Sequence, residues 1–464
     1  MKTLIRNGTV ATASAVHRAD VLVEEGVIAA VGLDLDAAGA EVVDAGGCYV
    51  MPGGIDVHTH LDNTSFGVTT ADDFATGTIA AACGGTTAIV DFCQQGVGTS
   101  LKDSLAVWHG KAGGRSVIDY GFHIIINDPS DAVIEEIPEL PGQGVTSVKL
   151  FMAYRGVPGM TQIDDLTMLR IMEKTRASGS VVMVHAENGD AADMLRDMCA
   201  ARGDLSPKFH AVSRPPRTES EATARAIAHA ELMGAPLYVV HLTCEDALDE
   251  LIRGRRRGAP VFAETCTQYL YCTTDDLDRP DFEGAKYVFT PPVRSARDNE
   301  VLWNALSMGL LKAVSSDHSP WNFVGQKDLG RDDFRKIPNG APGIEERMTM
   351  VWQGVNQGRF GIDRFVDIVS TNPARLFGLY PQKGTIAAGS DADIVIWDPE
   401  AEMVMTKPAL HSAVDYTLFE GMPVKGLPRT VFLRGEMIVD GREYIGSAPG
   451  GRFLKRAAFD PGAV

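Results

Sequence analysis

Residues 147–185 read SVKLFMAYRGVPGMTQIDDLTMLRIMEKTRASGSVVMVH, and they contain two strand patterns separated by a helix pattern. Ser147–Met152 and Val181–His185 are short, almost uninterrupted apolar runs, as expected for buried strands. Between them, Asp164–Arg176 carries its apolar residues at helical spacing. A strand, a helix and a second strand in this order predict a βαβ unit, in which the two strands lie parallel.

The same alternation continues on both sides of this unit, where helical patterns or long polar loops separate further apolar runs. A second helix pattern, Thr218–Met233, opens with the capping box Thr218-x-x-Glu221. Eight strands that alternate with helices predict an α/β protein built on a (β/α)8 barrel of the TIM type. The strand candidates are Ile55–Val57, Thr87–Phe92, Asp119–Ile126, Ser147–Met152, Val181–His185, Leu237–His241, Val261–Thr265 and Ala313–Ser316.

Both ends of the chain have strand patterns without intervening helices, including a hairpin pattern at Gly435-Glu436. We predict that residues 1–50 and 386–450 together form a small β-sandwich beside a barrel of residues 51–385. Residues 451–464 are predicted to be a tail or an arm that lies on a neighbouring chain. The terminal strand candidates are Lys2–Val10, Val21–Val31, Glu41–Val50, Asp391–Trp397, Glu402–Met405 and Thr430–Val439.

Composition excludes several classes of partner. The formal net charge of −18 argues against nucleic acid, because an acidic surface repels phosphate backbones. The longest apolar runs are too short to cross a bilayer, and the first eight residues contain charge and glycine where a signal peptide needs apolar residues. The seven cysteines are scattered without a CxxC pair. The cysteines therefore predict reduced thiols in a cytoplasmic protein rather than metal ligands. The composition as a whole predicts no membrane partner and no nucleic-acid partner.

The segment Asp56-Val57-His58-Thr59-His60 lies at the end of the first barrel strand candidate. Alternate side chains on a strand share a face, so His58 and His60 are expected to point the same way. Two imidazoles on one face can bind one divalent metal ion. This HxH pattern alone is a weak signal for a metal site.

Four more ligand-type residues lie toward the carboxyl ends of other strand candidates. Lys149 is within the fourth, His185 and His241 end the fifth and sixth, and Asp317 follows the eighth. Each histidine alone could be a core residue, and Asp317 alone could cap a helix. Because barrel active sites are built at the carboxyl ends of the strands, all six together predict a metal centre there.

Lys149 is the most unusual of the six, since a charged lysine among apolar residues on a buried strand is energetically costly. The cost disappears if its amine becomes an anionic carbamate. A carbamate offers two oxygen atoms, which is enough to bridge two cations. We therefore hypothesise that Lys149 is carbamylated.

Many separate segments, in the same order along nearly the whole chain, resemble the dihydropyrimidinase and D-hydantoinase branch of the amidohydrolase superfamily. They include PGGIDVHTHLD at 52–62, KLFMAY at 149–154, VHAENGD at 184–190, SDH at 316–318 and IPNGAPG at 337–343. The resemblance implies two divalent metal ions per chain, with zinc as the default and manganese or cobalt as alternatives. It assigns His58, His60 and Asp317 to one metal, His185 and His241 to the second, and carbamylated Lys149 and a hydroxide to the bridge between them.

The resemblance also implies how a cyclic substrate is held and cleaved. Main-chain groups near Thr290 and Asn339 would bind the imide edge, and the metal-bridging hydroxide would attack a ring carbonyl. Tyr154 would stabilise the oxyanion, while Asp317 would carry the proton to the leaving nitrogen. The expected reaction is hydrolysis of hydantoins and 5,6-dihydropyrimidines to N-carbamoyl amino acids. The resemblance further implies a homotetramer and favours the D-enantiomer of 5-substituted hydantoins.

Two alternatives share these features: an allantoinase with the same metals, and a non-catalytic scaffold, which the six intact ligands disfavour. Asp62 occupies the place where dihydroorotases usually carry an arginine for the substrate carboxylate, so we expect dihydroorotate to be disfavoured. Thr290 replaces a usual serine. Glu187 and His318 each follow a ligand, and we interpret them as supporting groups rather than acid–base catalysts.

Overall fold

The computed structural model describes residues 2–462. Eight parallel strands form one sheet in which each strand pairs with the next along the chain. The first and eighth meet where Thr59 bridges His318 and the His60 N–H donates to the His318 carbonyl over 2.9 Å. This nearly closed barrel confirms the predicted fold class. Its strands are Gly54–Thr59, Thr86–Gln94, Asp119–Ile125, Ser147–Phe151, Val181–His185, Leu237–Val239, Val261–Cys266 and Ala313–Ser315.

Twelve α-helices lie within residues 2–462, and most follow a barrel strand. None is long and apolar enough to cross a membrane. Shorter 3-10 segments occupy several of the loops. The α-helices are Phe74–Cys83, Leu101–Ala112, Asp131–Glu136, Asp165–Ser178, Gly189–Ala201, Phe209–Val212, Pro216–Met233, Glu245–Arg256, Ala296–Ser307, Arg347–Asn356, Ile362–Val366 and Asn372–Leu376.

Both helices that the sequence patterns indicated are present, but one begins differently. Asp164 caps the first by accepting a hydrogen bond from the Thr167 N–H at 2.8 Å. The second begins at Pro216, where a missing N–H costs nothing because that position has no helical partner. The Thr218 hydroxyl donates back to the Pro215 carbonyl, so the predicted capping box at Thr218 is wrong.

Strands from the two chain ends pack into a β-sandwich beside the barrel, as predicted. Its core contains Ile5, Val21 and Val50 from the first part of the chain and Ile394 and Phe432 from the last part. One sheet orders Val27–Gly32, Asp20–Glu24, Lys2–Arg6 and Glu41–Asp44; the other orders Glu443–Tyr444, Glu436–Asp440, Pro423–Leu433, Ile394–Val404, Tyr49–Pro52, Thr9–Ala11 and Val16–Arg18.

Several predicted terminal strands are divided differently in the structure. A turn at Asn7, with φ 64°, splits the first candidate into two strands that belong to different sheets. Conversely, the two candidates near 391–405 merge into the single strand Ile394–Val404, which has an irregularity between Asp398 and Glu402. The hairpin at Gly435 is confirmed, with φ 75° at the turn. The domain boundaries at 50, 385 and 450 stay predictions.

The last described residues cross the amino-terminal face of the barrel in their own chain. The Leu454 N–H donates to the Tyr120 carbonyl, and the Phe459 N–H donates to the Gly179 carbonyl. Arg456 is buried there and donates to the Phe122 carbonyl over 2.6 Å. These contacts pack the segment 452–459 against the barrel of its own chain, and its predicted role as a tail or an arm stays a prediction.

Candidate active site

The carboxyl ends of the barrel strands surround a pocket. Every residue that the sequence predicted for the site lines this pocket, although these residues are spread over 282 positions from first to last. Their roles as ligands and binding groups stay predictions. The nine residues are His58, His60, Lys149, Tyr154, His185, His241, Thr290, Asp317 and Asn339.

One group of ligand-type atoms gathers around the Asp317 carboxylate. Its Oδ1 atom lies 3.1 Å from His58 Nε2 and 3.3 Å from His60 Nε2. The ligand atoms of the three residues lie within 4.8 Å of one another. This spacing suits a shared divalent cation, which binds imidazole nitrogen and carboxylate oxygen at about 2.0–2.2 Å.

A second group lies beside the first and consists of two histidines. His185 Nδ1 and His241 Nε2 face each other at 2.9 Å, close enough for both to bind one cation. The His185 Nε2 atom contacts Glu187 at 2.7 Å, and Glu187 accepts a hydrogen bond from Arg214 at 2.8 Å. These contacts orient the His185 ring, as a carboxylate behind a metal-binding histidine does. Glu187 therefore has the supporting position that the sequence suggested.

The acid–base properties of these histidines follow from burial and from nearby charge. Burial lowers the pKa of His60 to about 4 and holds the pKa of His185 and His241 below the ordinary value. Burial alone would also lower the pKa of His58, but the carboxylates of Asp317 and Glu264 raise it to about 9. Neutral imidazole is the form that binds metal, so a cation would have to displace the proton of His58.

Lys149 is nearly inaccessible to solvent, and its Nζ atom lies 5.0 Å from the centre of the Phe92 ring and 5.5 Å from that of Phe151. Within residues 2–462, no carboxylate oxygen lies within 4.0 Å of this nitrogen. Burial lowers the pKa of Lys149 to about 8, which increases the fraction present as free amine. Only the free amine can react with carbon dioxide to form a carbamate.

A further observation supports the fit of these side chains to a metal centre. Three buried ring nitrogens, namely His58 Nε2, His60 Nδ1 and His241 Nδ1, have no hydrogen-bond partner within the described part of the chain. Buried polar atoms are rarely left unpaired, because each lost partner costs about 1–3 kcal/mol. Of the three, His58 Nε2 lies beside Asp317, where a bound cation would satisfy it. His60 and His241 face Asp317 and His185 through their other ring nitrogen, Nε2.

Three pocket residues that follow barrel strands adopt the left-handed backbone region that non-glycine residues rarely enter. The φ angles are 76° at Tyr154, 38° at His241 and 50° at Asp317, each just beyond the end of a barrel strand. Such conformations cost of order 1–3 kcal/mol and cluster at functional sites. The turns lie where the chain leaves the barrel beside the pocket.

Tyr154 lies against this cluster, with its ring centre 4.9 Å from that of His185. Burial raises the pKa of its hydroxyl, which therefore stays protonated and can donate a hydrogen bond. Phe66 and Trp321 add aromatic walls to the pocket, with ring centres 6.3 Å apart. The sequence prediction did not name these two residues. Phe66 falls in the loop 63–72, which follows the first barrel strand, and nothing in the sequence marked Trp321.

Main-chain atoms at Thr290 and Asn339 are available to a ligand. Within residues 2–462, the Thr290 carbonyl oxygen and the Asn339 N–H make no hydrogen bond. The Asn339 carbonyl, in contrast, accepts from the Trp321 indole N–H at 2.9 Å. One free acceptor and one free donor in the same pocket are complementary to the N–H and carbonyl of an imide.

Glu264 was not predicted as a functional residue, although it lies in the buried strand Val261–Cys266. Its carboxylate contacts His58 Nδ1 at 2.5 Å and accepts hydrogen bonds from Tyr238 and Ser315. It thereby fixes which His58 nitrogen faces the pocket. A buried glutamate in a strand was the available signal, but its partner is 206 residues away.

Two residues that were singled out in the sequence, His318 and Asp62, lie away from the reacting groups in the structure. His318 is fully buried, with Nε2 3.2 Å from Asp72 and Nδ1 accepting from the Gly343 N–H, so it supports the loops. Asp62 is not a pocket-lining residue, and its carboxylate lies 3.8 Å from Lys111 Nζ. Repulsion by Asp62 therefore does not explain why a carboxylated substrate would be excluded.

Comparison with known proteins places this pocket in a family. Residues 49–438 match the amidohydrolase family. A D-hydantoinase of Rhizobium radiobacter is 59% identical, over 99% of this chain and 100% of that protein. A dihydropyrimidinase structure from Brevibacillus agri NCHU1002 has a TM-score of 0.97 at 50% identity, covering 99% of this chain and 100% of that one. An L-hydantoinase (dihydropyrimidinase) structure from Arthrobacter aurescens has a TM-score of 0.89 at 32% identity, covering 98% of this chain and 99% of that one. The chain belongs to the hydantoinase and dihydropyrimidinase branch of the amidohydrolase family.

Proposed function

We propose that this chain hydrolyses the cyclic amide bond of hydantoins and 5,6-dihydropyrimidines to give N-carbamoyl amino acids. The observation that carries the proposal is one pocket with two features: a cluster of ligand-type side chains, and an unpaired acceptor and donor at Thr290 and Asn339. An imide ring presents the matching N–H and carbonyl beside its scissile bond. Relatives described as D-hydantoinases and a dihydropyrimidinase support the same class of ring.

We propose that the site holds two divalent cations, one beside His58, His60 and Asp317 and one beside His185 and His241. Zinc suits imidazole and carboxylate ligands, and manganese and cobalt are alternatives that metal analysis would distinguish. When bound, divalent cations at such a site act as Lewis acids that activate water at neutral pH and polarise a carbonyl group.

We also propose that Lys149 is carbamylated and that the carbamate joins the two metal positions. Two observations support this: the side chain is almost fully buried, and no carboxylate in the described residues is close enough to pair with its ammonium. A carbamate would replace a costly isolated cation with an anion beside ligand positions.

Four groups of the chain itself would orient the ring and assist its opening. The Thr290 carbonyl would accept the imide N–H, and the Asn339 N–H would donate to an imide carbonyl, which orients the ring. The Tyr154 hydroxyl would donate to the oxygen on which negative charge develops. Asp317 would accept a proton from the attacking water and deliver it to the ring nitrogen of the amide bond that breaks. These assignments rest on the placement of the groups in one buried pocket.

We expect dihydroorotate to be a poor substrate for a reason other than Asp62. The described residues that line the pocket include no arginine, and Lys149 is the only lysine among them. If Lys149 is carbamylated, a substrate carboxylate directed away from the metal positions would meet no cationic side chain among these lining residues, and burying it unpaired costs several kcal/mol. We propose D-selectivity for 5-substituted hydantoins, because the identity is 59% to a D-hydantoinase and 32% to an L-hydantoinase.

Two further proposals concern the setting of the enzyme. We propose a homotetramer, which size-exclusion chromatography with light scattering would test. We propose a cytoplasmic location, since all seven cysteines are free and buried, as expected in a reducing compartment. Cell fractionation would test that location.

The decisive experiment combines a substrate panel with metal analysis on the same preparation. Hydantoin, dihydrouracil, dihydroorotate and allantoin would be assayed side by side, with chiral analysis of the product from a 5-substituted hydantoin. We expect hydantoin and dihydrouracil to be hydrolysed best and about two metal ions to be found per chain. Preferred hydrolysis of dihydroorotate or allantoin would contradict the proposal.

A further inference from the structure

Lys327 is a buried lysine outside the metal cluster, and the proposed mechanism gives it no role. Its side chain is fully buried, and within residues 2–462 no carboxylate oxygen lies within 4.0 Å of its Nζ atom. Burial holds the pKa of Lys327 well below its ordinary value. A lysine in such surroundings is costly, so its retention calls for a specific function of its hydrogen bonds.

The Lys327 amine joins two loops that meet at the pocket. Its Nζ atom donates to the Val288 carbonyl at 2.8 Å and to the Pro338 carbonyl at 3.0 Å. Val288 is two residues before Thr290, and Pro338 is directly before Asn339. The bonds therefore hold the two segments that contribute Thr290 and Asn339 to the lining of the pocket.

Other contacts show that these segments are tied together at the same place. The Gly340 N–H donates to the Val288 carbonyl at 3.2 Å, which links the loops directly. His210 contacts the Phe289 carbonyl at 2.9 Å and lies 3.3 Å from the Thr290 hydroxyl. Among these groups, the Lys327 amine is the one that binds a carbonyl from each loop.

We infer that Lys327 is a positioning residue for substrate: its two hydrogen bonds set the spacing between the Thr290 carbonyl and the Asn339 N–H, and hence the fit of the imide edge. The inference rests on the proposed function of these two main-chain groups. Lys327 itself touches no reacting atom, because it is not among the residues that line the pocket. Its loss should therefore weaken ring binding more than it slows the chemical step.

The test compares Lys327→Met with Lys336→Met, a matched control in the same loop. Lys336 is exposed, and its Nζ atom donates to Asp332 at 2.8 Å instead of to the Val288 or Pro338 carbonyl, so its replacement removes a lysine from the loop but keeps the two hydrogen bonds. Both variants, prepared as metal-loaded enzyme, would be assayed for KM and kcat with hydantoin. Uracil, which has the same imide edge in an aromatic ring, would serve as a binding probe that needs no turnover.

We expect Lys327→Met to raise the KM for hydantoin and the Kd for uracil by about tenfold or more, with metal content unchanged and kcat altered less. Lys327→Gln, which keeps an N–H donor at shorter reach, should give intermediate values, and it replaces Lys327→Met if that variant does not fold. KM and Kd within twofold of wild type, or a loss confined to kcat, would overturn the inference.

The same measurements separate this inference from the proposed function. If wild-type protein hydrolyses no hydantoin but binds uracil, the proposed function fails, and the uracil Kd of the variants alone decides the role of Lys327. If wild-type protein hydrolyses hydantoin but does not bind uracil, the KM of the variants for hydantoin alone decides the role of Lys327. Wild-type protein that neither hydrolyses hydantoin nor binds uracil overturns both the proposed function and the positioning role.

Discussion

Lys149 and Lys383 are both buried lysines, and their surroundings are opposite. Lys383 Nζ lies 2.6 Å from Asp119, 2.8 Å from Asp391 and 2.6 Å from Asp393. These carboxylates outweigh burial and raise the pKa of Lys383. Lys149 has aromatic rings near its amine and, among the residues that the structure describes, no carboxylate within 4.0 Å, and burial lowers its pKa to about 8.

The two positions also differ in what they connect. Asp119 begins the third barrel strand, whereas Asp391 and Asp393 precede a long strand of the sandwich, so Lys383 joins the two parts of the molecule. Lys149 points into the pocket among the candidate ligands. A buried ammonium with carboxylate partners is therefore stabilised as a charge, whereas burial without such partners favours the neutral amine, which can be modified.

The largest expected effect is on Lys149→Ala, which removes the proposed carbamate. We expect both metal ions and all measurable turnover to be lost together, because no other side chain would join the two metal positions. Metal analysis and activity on one preparation check this. Two ions still bound in the variant would contradict the carbamate and would make Lys149 resemble Lys383, a structural cation.

Tyr154→Phe tests whether the pocket stabilises developing charge. The change removes one donor and little volume, so we expect kcat to fall by about 10²–10³ with a smaller change in KM. Steady-state kinetics with hydantoin measure both constants. An effect on KM alone would restrict Tyr154 to binding.

Asp317→Asn is expected to lower kcat by at least about 10², because an amide cannot accept the proton. The matched control is Asp393→Asn, a buried aspartate that contacts Lys383 instead of the ligand cluster. The control should retain kcat per folded molecule. Equal loss in both variants would show that the effect of Asp317 is structural.

Glu264→Gln should weaken metal binding about 10–100-fold, because the carboxylate that orients His58 is replaced by an amide. Activity at saturating metal should recover to near the wild-type value. Metal titration of the metal-free protein measures the affinity. A metal affinity equal to that of the wild type would show that the His58 ring does not need the Glu264 carboxylate to orient it.

Lys383→Met should have the smallest effect on turnover and a large one on stability. It leaves the buried Asp393 and the partly buried Asp391 without their cation, whereas Asp119 still pairs with Arg434. Breaking a buried pair costs about 3–5 kcal/mol, so the thermal midpoint should fall. Lys149→Met in metal-free protein should leave the midpoint unchanged or raise it, since it removes an unpaired buried charge. Midpoints that fall equally in both variants would erase the contrast between the two lysines.

The amino-acid sequence by itself determined the barrel, the sandwich and the set of candidate ligands. Strand and helix periodicities are local, and barrel topology sends the carboxyl end of each parallel strand to one face. Residues at those ends, such as His185 and Asp317, could therefore be placed together before their distances were known. Local patterns were less reliable at element ends, where Pro216 displaced the predicted cap at Thr218.

Only the tertiary structure decided which side chains support the site. Glu264 reaches His58 across 206 residues, and Lys327 reaches Val288 across 39 residues and Pro338 across 11. Asp62, two residues from a candidate ligand in sequence, turns instead toward Lys111. The physical reason is that side-chain direction beyond a strand end depends on loop conformation and on packing partners, which no local periodicity encodes.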